Sequence, residues 1–250
     1  MEFIKIETNG NDYLFFDFLK GDKPKINYPL FAKKISNRRF GVGSDGIVLI
    51  EKSVGVDVKL IMFNSDGNQG NICGSALCSS VLYLSKGQKR AFQIMTYSGV
   101  KSGILQKNGY SKIYPFDPKI IEKINFAGRD FYKVNVGNLH FVHICKKIPN
   151  DFKSISEEIE KKYDVNIEFA KKLDTNSYKV RVWERGSKET FACGSGAVAV
   201  AKVVNYLNNF TENIVKIKYP GGDYLVENKS GITSLVGKSK IVFTGQYEII

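Results

Sequence analysis

Two stretches decide how this chain is read: Ile72-Cys73-Gly74-Ser75-Ala76 and Ala192-Cys193-Gly194-Ser195-Gly196-Ala197. Each opens an unbroken run of small and apolar residues, from Gly74 to Leu84 and from Gly194 to Leu207. Runs of that length without a breaker predict buried helices, the first ending at Gly87. A second echo precedes the first: Asn9–Phe16 (N-G-N-D-Y-L-F-F) resembles Val136–Val142 (V-G-N-L-H-F-V). In each half Gly-Asn comes first and Cys-Gly-Ser follows about sixty residues later. Two short matches in the same order and at similar spacing predict a duplicated unit. Duplication implies a pseudo-symmetric two-domain protein, with equivalent residues facing each other across a cleft.

The remaining pattern is strand-rich. Phe3–Ile6, Tyr13–Phe18, Gly46–Glu51, Val56–Phe63, Phe92–Tyr97, Gly103–Gln106 and Tyr110–Tyr114 read as strands. Pro29 to Arg39 has helical spacing, with Pro29 suited to a first turn. In the second half Tyr132–Val136, His140–Ile144 and Tyr178–Glu184 are strand-like. Ser154 to Lys162 reads as a helix in which Ser154 and Glu157 form a capping box. Pro115 and Pro118 interrupt the strands and mark the domain junction. The expected domains are residues 1–114, joined by a last strand at 242–250, and residues 115–241.

Composition narrows the class. The chain has 250 residues, 43% of them hydrophobic and 25% charged, as in ordinary globular proteins. No stretch reaches the roughly 18 apolar residues of a membrane span. The start, Met-Glu-Phe-Ile-Lys-Ile-Glu, does not read as a signal peptide, so a cytoplasmic location without membrane partner is expected. The net charge of +12 raises nucleic acid as a partner. Against it, only six basic residues are Arg, the residue of bidentate phosphate and base contacts, and the Lys are dispersed. A solvated basic surface, with no nucleic-acid partner, is the reading adopted.

There are four Cys: Cys73, Cys78, Cys145 and Cys193. Taken singly, each reads most simply as a buried small hydrophobe. Zinc is a rival, since His140, His143 and Cys145 supply ligand types. Yet Cys73 and Cys78 lie outside the usual short ligand spacing and no C-x-x-C exists, so no metal is expected. The paired context points elsewhere. A helix N-terminus has unpaired amides and partial positive charge. It lowers a thiol pKa, and its amides, here those of Gly74, Ser75, Gly194 and Ser195, bind carboxylates. Two such starts acting on one amino acid would hold its carboxylate and place a thiol on each face of its α-carbon. One thiolate takes the α-proton, the other thiol returns one, and the centre inverts. Arg185, in Trp183-Glu184-Arg185-Gly186, offers a clamp for a second carboxylate, or else a surface ion pair. Asn11, Asn64, Asn138 and Asn166 fall at turns or strand ends, where Asn is common as a turn former.

These residues resemble the diaminopimelate epimerase family. The match includes Gly10–Tyr13, Gly41–Gly46, Phe63–Gly67, Cys73–Ser75, Gly137–His140, Val165–Asn166, Arg181–Gly186, Glu189–Gly196 and Pro220–Gly222, in order through nearly the whole chain. The resemblance implies an α+β protein of two pseudo-symmetric domains, each a mainly antiparallel sheet wrapped around a central helix. It implies a pyridoxal-free, cofactor-independent isomerase that interconverts L,L- and meso-diaminopimelate in lysine biosynthesis, commonly a homodimer. It assigns Cys73 and Cys193 as the base/acid pair. It assigns Gly74, Ser75, Gly194 and Ser195 as carboxylate-binding amides, and Asn11, Asn64, Asn138, Asn166, Glu184 and Arg185 as substrate-holding residues. His140 and Glu189 lie beside the site by the same match. The first Cys motif departs from the family's usual C-G-N-G-A-R-C, with Ser75 for Asn and Ala76 for Gly, and Leu139 replaces a Pro. A racemase of another amino acid and a non-catalytic binding module are the alternatives.

Overall fold

The computed structural model describes residues 1–70, 73–85 and 91–248. The chain divides into two compact units: Met1–Ile113 with Lys238–Ile250, and Tyr114–Gly237.

The first unit opens with a hairpin of β1 (Glu2–Thr8) and β2 (Asn11–Asp17). Its turn places Asn9 and Gly10 at positive φ, 53° and 88°, where these two residue types meet the least steric cost. Helix α1 (Tyr28–Ile35) crosses to β3 (Gly46–Glu51), parallel to β2. β4 (Val58–Asn64) returns antiparallel, and the short β5 (Gln69–Gly70) pairs with it. After α2 (Gly74–Leu84), β6 (Ala91–Thr96) lies parallel to β4 and β7 (Gly99–Leu105) antiparallel to β6. β8 (Tyr110–Phe116) follows a tight turn. Ile47 and Leu49 pack with Phe31 and Ile35 of α1. α2 lies against β1, β2 and β7 on the other side. With a helix over each face, Ile47–Ile50 is a continuous fully buried run instead of an alternating one.

The second unit repeats this order. β9 (Lys119–Phe126) pairs with β10 (Arg129–Asn135), which pairs with β11 (Leu139–Cys145). Helix α3 (Phe152–Tyr163) crosses to β12 (Asn166–Asp174), parallel to β11. β13 (Ser177–Glu184) and the short β14 (Lys188–Thr190) return antiparallel. Helix α4 (Gly194–Asn208) leads to β15 (Asn213–Tyr219), parallel to β13, then to β16 (Gly222–Lys229) and β17 (Ile232–Gln246). β17 pairs with β16 through Ile232–Val236, and with β1 through Ser239–Gln246. α4 is buried along most of its length against β10, β11, β12, β15 and β16. Phe152 and Ile159 of α3 pack with Phe131, Phe141 and Phe169 on the outer face. Each unit is therefore a mainly antiparallel sheet around a central helix, of α+β class, and the two units match element for element.

Several local expectations are corrected. The helix expected over Pro29–Arg39 stops at Ile35, because Asn37 Oδ1 accepts from the amides of Arg39 and Phe40 and turns the chain. The Ser154–Glu157 capping box does not form. Phe152 is drawn into the core, so the helix begins at Phe152 and Ser154 bonds back to the Asp151 carbonyl. Strands β9 and β12 were not expected at all. The expected helix stop at Gly87, and residues 249–250 of the expected last strand, lie outside the described residues. Among the described residues no helix is long and apolar enough to cross a membrane.

Phe169 is fully buried and meets Phe131 and Phe152 edge-on, at 5.5 and 5.3 Å between ring centroids. Phe169→Ala leaves a cavity there and is expected to cost about 3–5 kcal/mol. The expected outcome is a lower midpoint of the second unit's transition in urea unfolding.

Candidate active site

Cys73 and Cys193 are the N-cap residues of the two central helices. Their backbones are nearly identical, φ −136° and ψ 115° at Cys73 against φ −135° and ψ 119° at Cys193. Each sulfur takes the place of the usual cap oxygen. Cys73 Sγ accepts from the Ala76 amide at 3.5 Å, and Cys193 Sγ from the Gly196 amide at 3.4 Å. Ala76 therefore keeps an ordinary helical backbone, and its replacement of Gly leaves the first cap intact. The amides of Gly74, Ser75, Gly194 and Ser195 fall in the first turns, where no preceding carbonyl of the helix reaches them. No disulfide joins any of the four cysteines. Among the described residues no group of three or more His, Cys, Asp or Glu could hold a metal ion.

The matching continues in the hairpins. Asn11 Nδ2 donates to Ser75 Oγ at 3.0 Å, and Asn138 Nδ2 to Ser195 Oγ at 3.3 Å. The turn carrying Asn11 is pinned by its neighbour Asp12, which pairs with Arg38 and Lys5 at 2.7 Å each. Burial would raise the Asp12 carboxyl, but these two cations hold it below its ordinary range. Register makes Tyr13 (opposite Gly46) the counterpart of His140 (opposite Asn166). Here the halves diverge. Tyr13 places its hydroxyl 3.2 Å from Cys73 Sγ. A small recess lined by Leu60, Met62, Gly70, Leu77 and Tyr97 opens beside that thiol.

The surroundings of Cys193 are ionisable. Fully buried His140 sets Nδ1 2.7 Å from Glu168 Oε1, and Nε2 3.0 Å from Asn138 Oδ1 and 3.1 Å from Ser195 Oγ. Ser195 Oγ lies 3.4 Å from Cys193 Sγ. Glu184 accepts from Thr190 Oγ1, and its carboxyl and the Cys193 thiol influence one another. Burial pushes the Glu184 carboxyl above its ordinary range, and the Glu168 charge adds to this. The Thr190 bond, the Cys193 thiol and nearby His140 act the other way. Burial likewise pushes the Cys193 thiol well up, helped by Glu184 and Glu168 and opposed by the Ser195 hydroxyl and the Gly196 amide. This overturns the expectation of a lowered thiol pKa at Cys193: loss of water outweighs the helix terminus.

Other expected residues stand further off. Asn166 stands at its strand end, donating to the Leu139 carbonyl and accepting from the Arg185 amide, both at 3.0 Å. The Arg185 guanidinium is paired with exposed Asp164 at 2.9 Å. Glu189 turns to Arg181 and Lys153 and bonds none of the site residues. Asn64 is exposed at the end of β4, next to Gly70. Tyr13, Glu168 and Thr190 were missed. Each has a strand-parity signal, being on the inner face that its hairpin or strand shares with a recognised site residue.

A family model described as Diaminopimelate epimerase matches residues 3–116 and 132–246. The chain belongs to the diaminopimelate epimerase family. Named diaminopimelate epimerases of Acetivibrio thermocellus and Carboxydothermus hydrogenoformans are 32% and 33% identical to it. The alignments cover 100% and 99% of this chain and 99% of each relative. Solved structures share the fold. A Bacillus anthracis phenazine biosynthesis protein of the PhzF family has a TM-score of 0.75 at 15% identity, covering 100% of this chain and 99% of that one. An Agrobacterium vitis hydroxyproline epimerase has a TM-score of 0.70 at 12% identity, covering 99% and 90%. Family membership makes the chain an isomerase of the amino-acid epimerase kind.

A carboxyl whose pKa is raised by folding binds protons more tightly folded than unfolded. Stability then falls as pH rises from the unfolded value toward the raised one, and stays lower above it. Glu184→Gln removes the ionisation while keeping an acceptor for Thr190. The expected outcome is a Tm above that of the unaltered protein at pH 8, with the difference closing toward pH 4.

Proposed function

We propose that this protein is a pyridoxal-independent diaminopimelate epimerase, interconverting the L,L and meso isomers by proton transfer between the α-carbon and two thiols. The observation that carries the reading is the repeated cap: one Cys per unit, in the same backbone geometry, at the start of a buried helix. The amides of Gly74, Ser75, Gly194 and Ser195 bind the carboxylate next to the reacting carbon. Negative charge grows on that carboxylate as the α-proton leaves, and fixed donors stabilise it where it develops. Cys193, held as a thiol by its burial, is the acid of the resting enzyme, and Cys73 is the base. After one turnover the roles are exchanged. No cofactor or metal takes part.

Asn11, Asn64, Asn138, Asn166 and Glu184 hold and orient the substrate. Arg185 exchanges Asp164 for the distal carboxylate. An exposed ion pair is worth about 0–1 kcal/mol, so the exchange is cheap. The setting is cytoplasmic lysine biosynthesis, with a small-molecule substrate, a homodimeric enzyme, and no nucleic-acid or membrane partner.

The test is incubation with L,L-diaminopimelate in deuterated water. Meso product carrying α-deuterium is expected, and the absence of both would refute the reading. Cys73→Ser and Cys193→Ser are each expected to lower turnover at least about 100-fold, as for loss of a positioned acid or base. Near-normal activity in either variant would contradict the two-thiol scheme.

A further inference from the structure

We infer that Glu168 is a positioning residue that acts through His140 and Ser195 to aim a hydroxyl hydrogen at the sulfur of Cys193. The inference rests on the reading of Cys193 as a reacting thiol and adds to it a chain of residues that the Cys73 half lacks.

The hydrogen inventory fixes the direction. Asn138 Oδ1 can only accept, so His140 Nε2, 3.0 Å away, carries a hydrogen. The single Nε2 hydrogen is shared between Asn138 Oδ1 and Ser195 Oγ, 3.1 Å away, and Asn138 Nδ2 donates to the same Oγ at 3.3 Å. The hydroxyl's own hydrogen is left for Cys193 Sγ at 3.4 Å. With Gly196 N–H also on the sulfur, Cys193 has two donors waiting for the negative charge it acquires when its proton leaves. Glu168 sets the other end. One hydrogen lies between its Oε1 and Nδ1 at 2.7 Å and a second is on Nε2, so the pair holds two hydrogens, as carboxylate with imidazolium or carboxylic acid with imidazole; either form fixes the ring orientation with Nε2 as the donor.

Glu168 is fully buried, and its Oε2 has no hydrogen-bond partner among the described residues. An unsatisfied buried carboxylate oxygen costs stability and marks a group retained for another reason. Room has been made for it at the helix start. A Cβ on Gly196 would collide with the Glu168 carboxylate. In the first unit the same register position is Val48, opposite Phe15 as Glu168 is opposite Val142, and Ala76 stands where Gly196 does. There Tyr13 meets its thiol directly, with no intermediary.

The ionisable groups that act on Cys193 or are acted on by it are Glu184 on β13, Glu168 on β12 and Tyr219 on β15, with His140 on β11 reaching it through Ser195. Glu168 could therefore act merely as a nearby negative charge, and that predicts the opposite result. Removing a charge eases ionisation of Cys193, whereas removing the anchor of a donor chain impedes it.

The experiment measures iodoacetamide alkylation of Cys193 at pH 8 by peptide mass spectrometry, beside the steady-state kinetics of L,L-diaminopimelate epimerisation. Glu168→Val and Ser195→Ala are each expected to slow alkylation about tenfold, the loss of one hydrogen bond to a charged group. The double variant is expected to be no slower than Ser195→Ala alone, since both changes break one chain. Glu168→Gln offers an N–H to Nδ1, keeps Nε2 as donor, and is expected to stay within about threefold of the unaltered protein. Epimerisation by Glu168→Val is expected to fall in kcat with KM nearly unchanged. Faster alkylation in both Glu168 variants, or additive losses in the double variant, would overturn the inference. If Glu168→Val fails to fold by circular dichroism, Glu168→Gln and Ser195→Ala decide it: equal losses in both contradict it. The expected alkylation pattern without any epimerisation would keep the chain of residues and discard the functional reading.

Discussion

A helix placed inside a sheet cannot leave its first amides to water. This constraint organises both units. The first turns of α2 and α4 are buried among strands, so their N–H groups need acceptors from the protein or from a ligand. The sulfur of the N-cap Cys takes one amide in each unit. Sulfur is a weaker acceptor than the oxygen of Ser or Asp, so the cap is not chosen for its strength. What the thiol adds is a proton that can be exchanged. The amides it leaves untouched are the ones proposed to bind the substrate carboxylate.

The same constraint explains the composition of these helices. Small residues at Gly74-Ser75-Ala76 and Gly194-Ser195-Gly196 let strands approach the helix start closely, and what approaches differs between the units. Beside Gly196 the space is filled by the Glu168 carboxylate, while Val48 holds the equivalent place in the first unit. Gly70 and Thr190 also correspond in register, opposite Met62 and Val182. Thr190 bonds the half-buried Glu184, whereas Gly70 lies against Asn64. The duplication is thus kept in backbone and caps, and broken in the strand side chains around them.

That division also governs how much could be read from the residues alone. The caps, central helices and Gly-Asn turns were legible because helix starts and positive-φ turns restrict residue type strongly at a few positions. β12 was not. Asn-Ile-Glu-Phe-Ala carries a charged residue in a strand buried on both faces, which breaks the apolar pattern that announces such strands. Glu168 was hidden for the same reason: only the fold shows that it points at a helix start with His140 as partner. The lowered pKa expected for Cys193 failed because a sequence shows the helix terminus but not the loss of water around it. Arg185 was legible as a cation, but its engagement with Asp164 is a matter of surface geometry.

In the proposed two-thiol scheme the enzyme needs its thiols in opposite protonation states, with either arrangement within reach. Two identical half-sites would populate both arrangements equally. Each pKa unit of difference between them shifts that balance by about 1.4 kcal/mol. Burial and two carboxyl neighbours push Cys193 toward the thiol, a bias that unopposed would hold the proton there. The Ser195 hydroxyl and the Gly196 amide oppose it. The donor chain ending at Ser195 is therefore a partial counterweight: it offsets some of the burial and carboxyl charge that hold Cys193 as a thiol, without cancelling them.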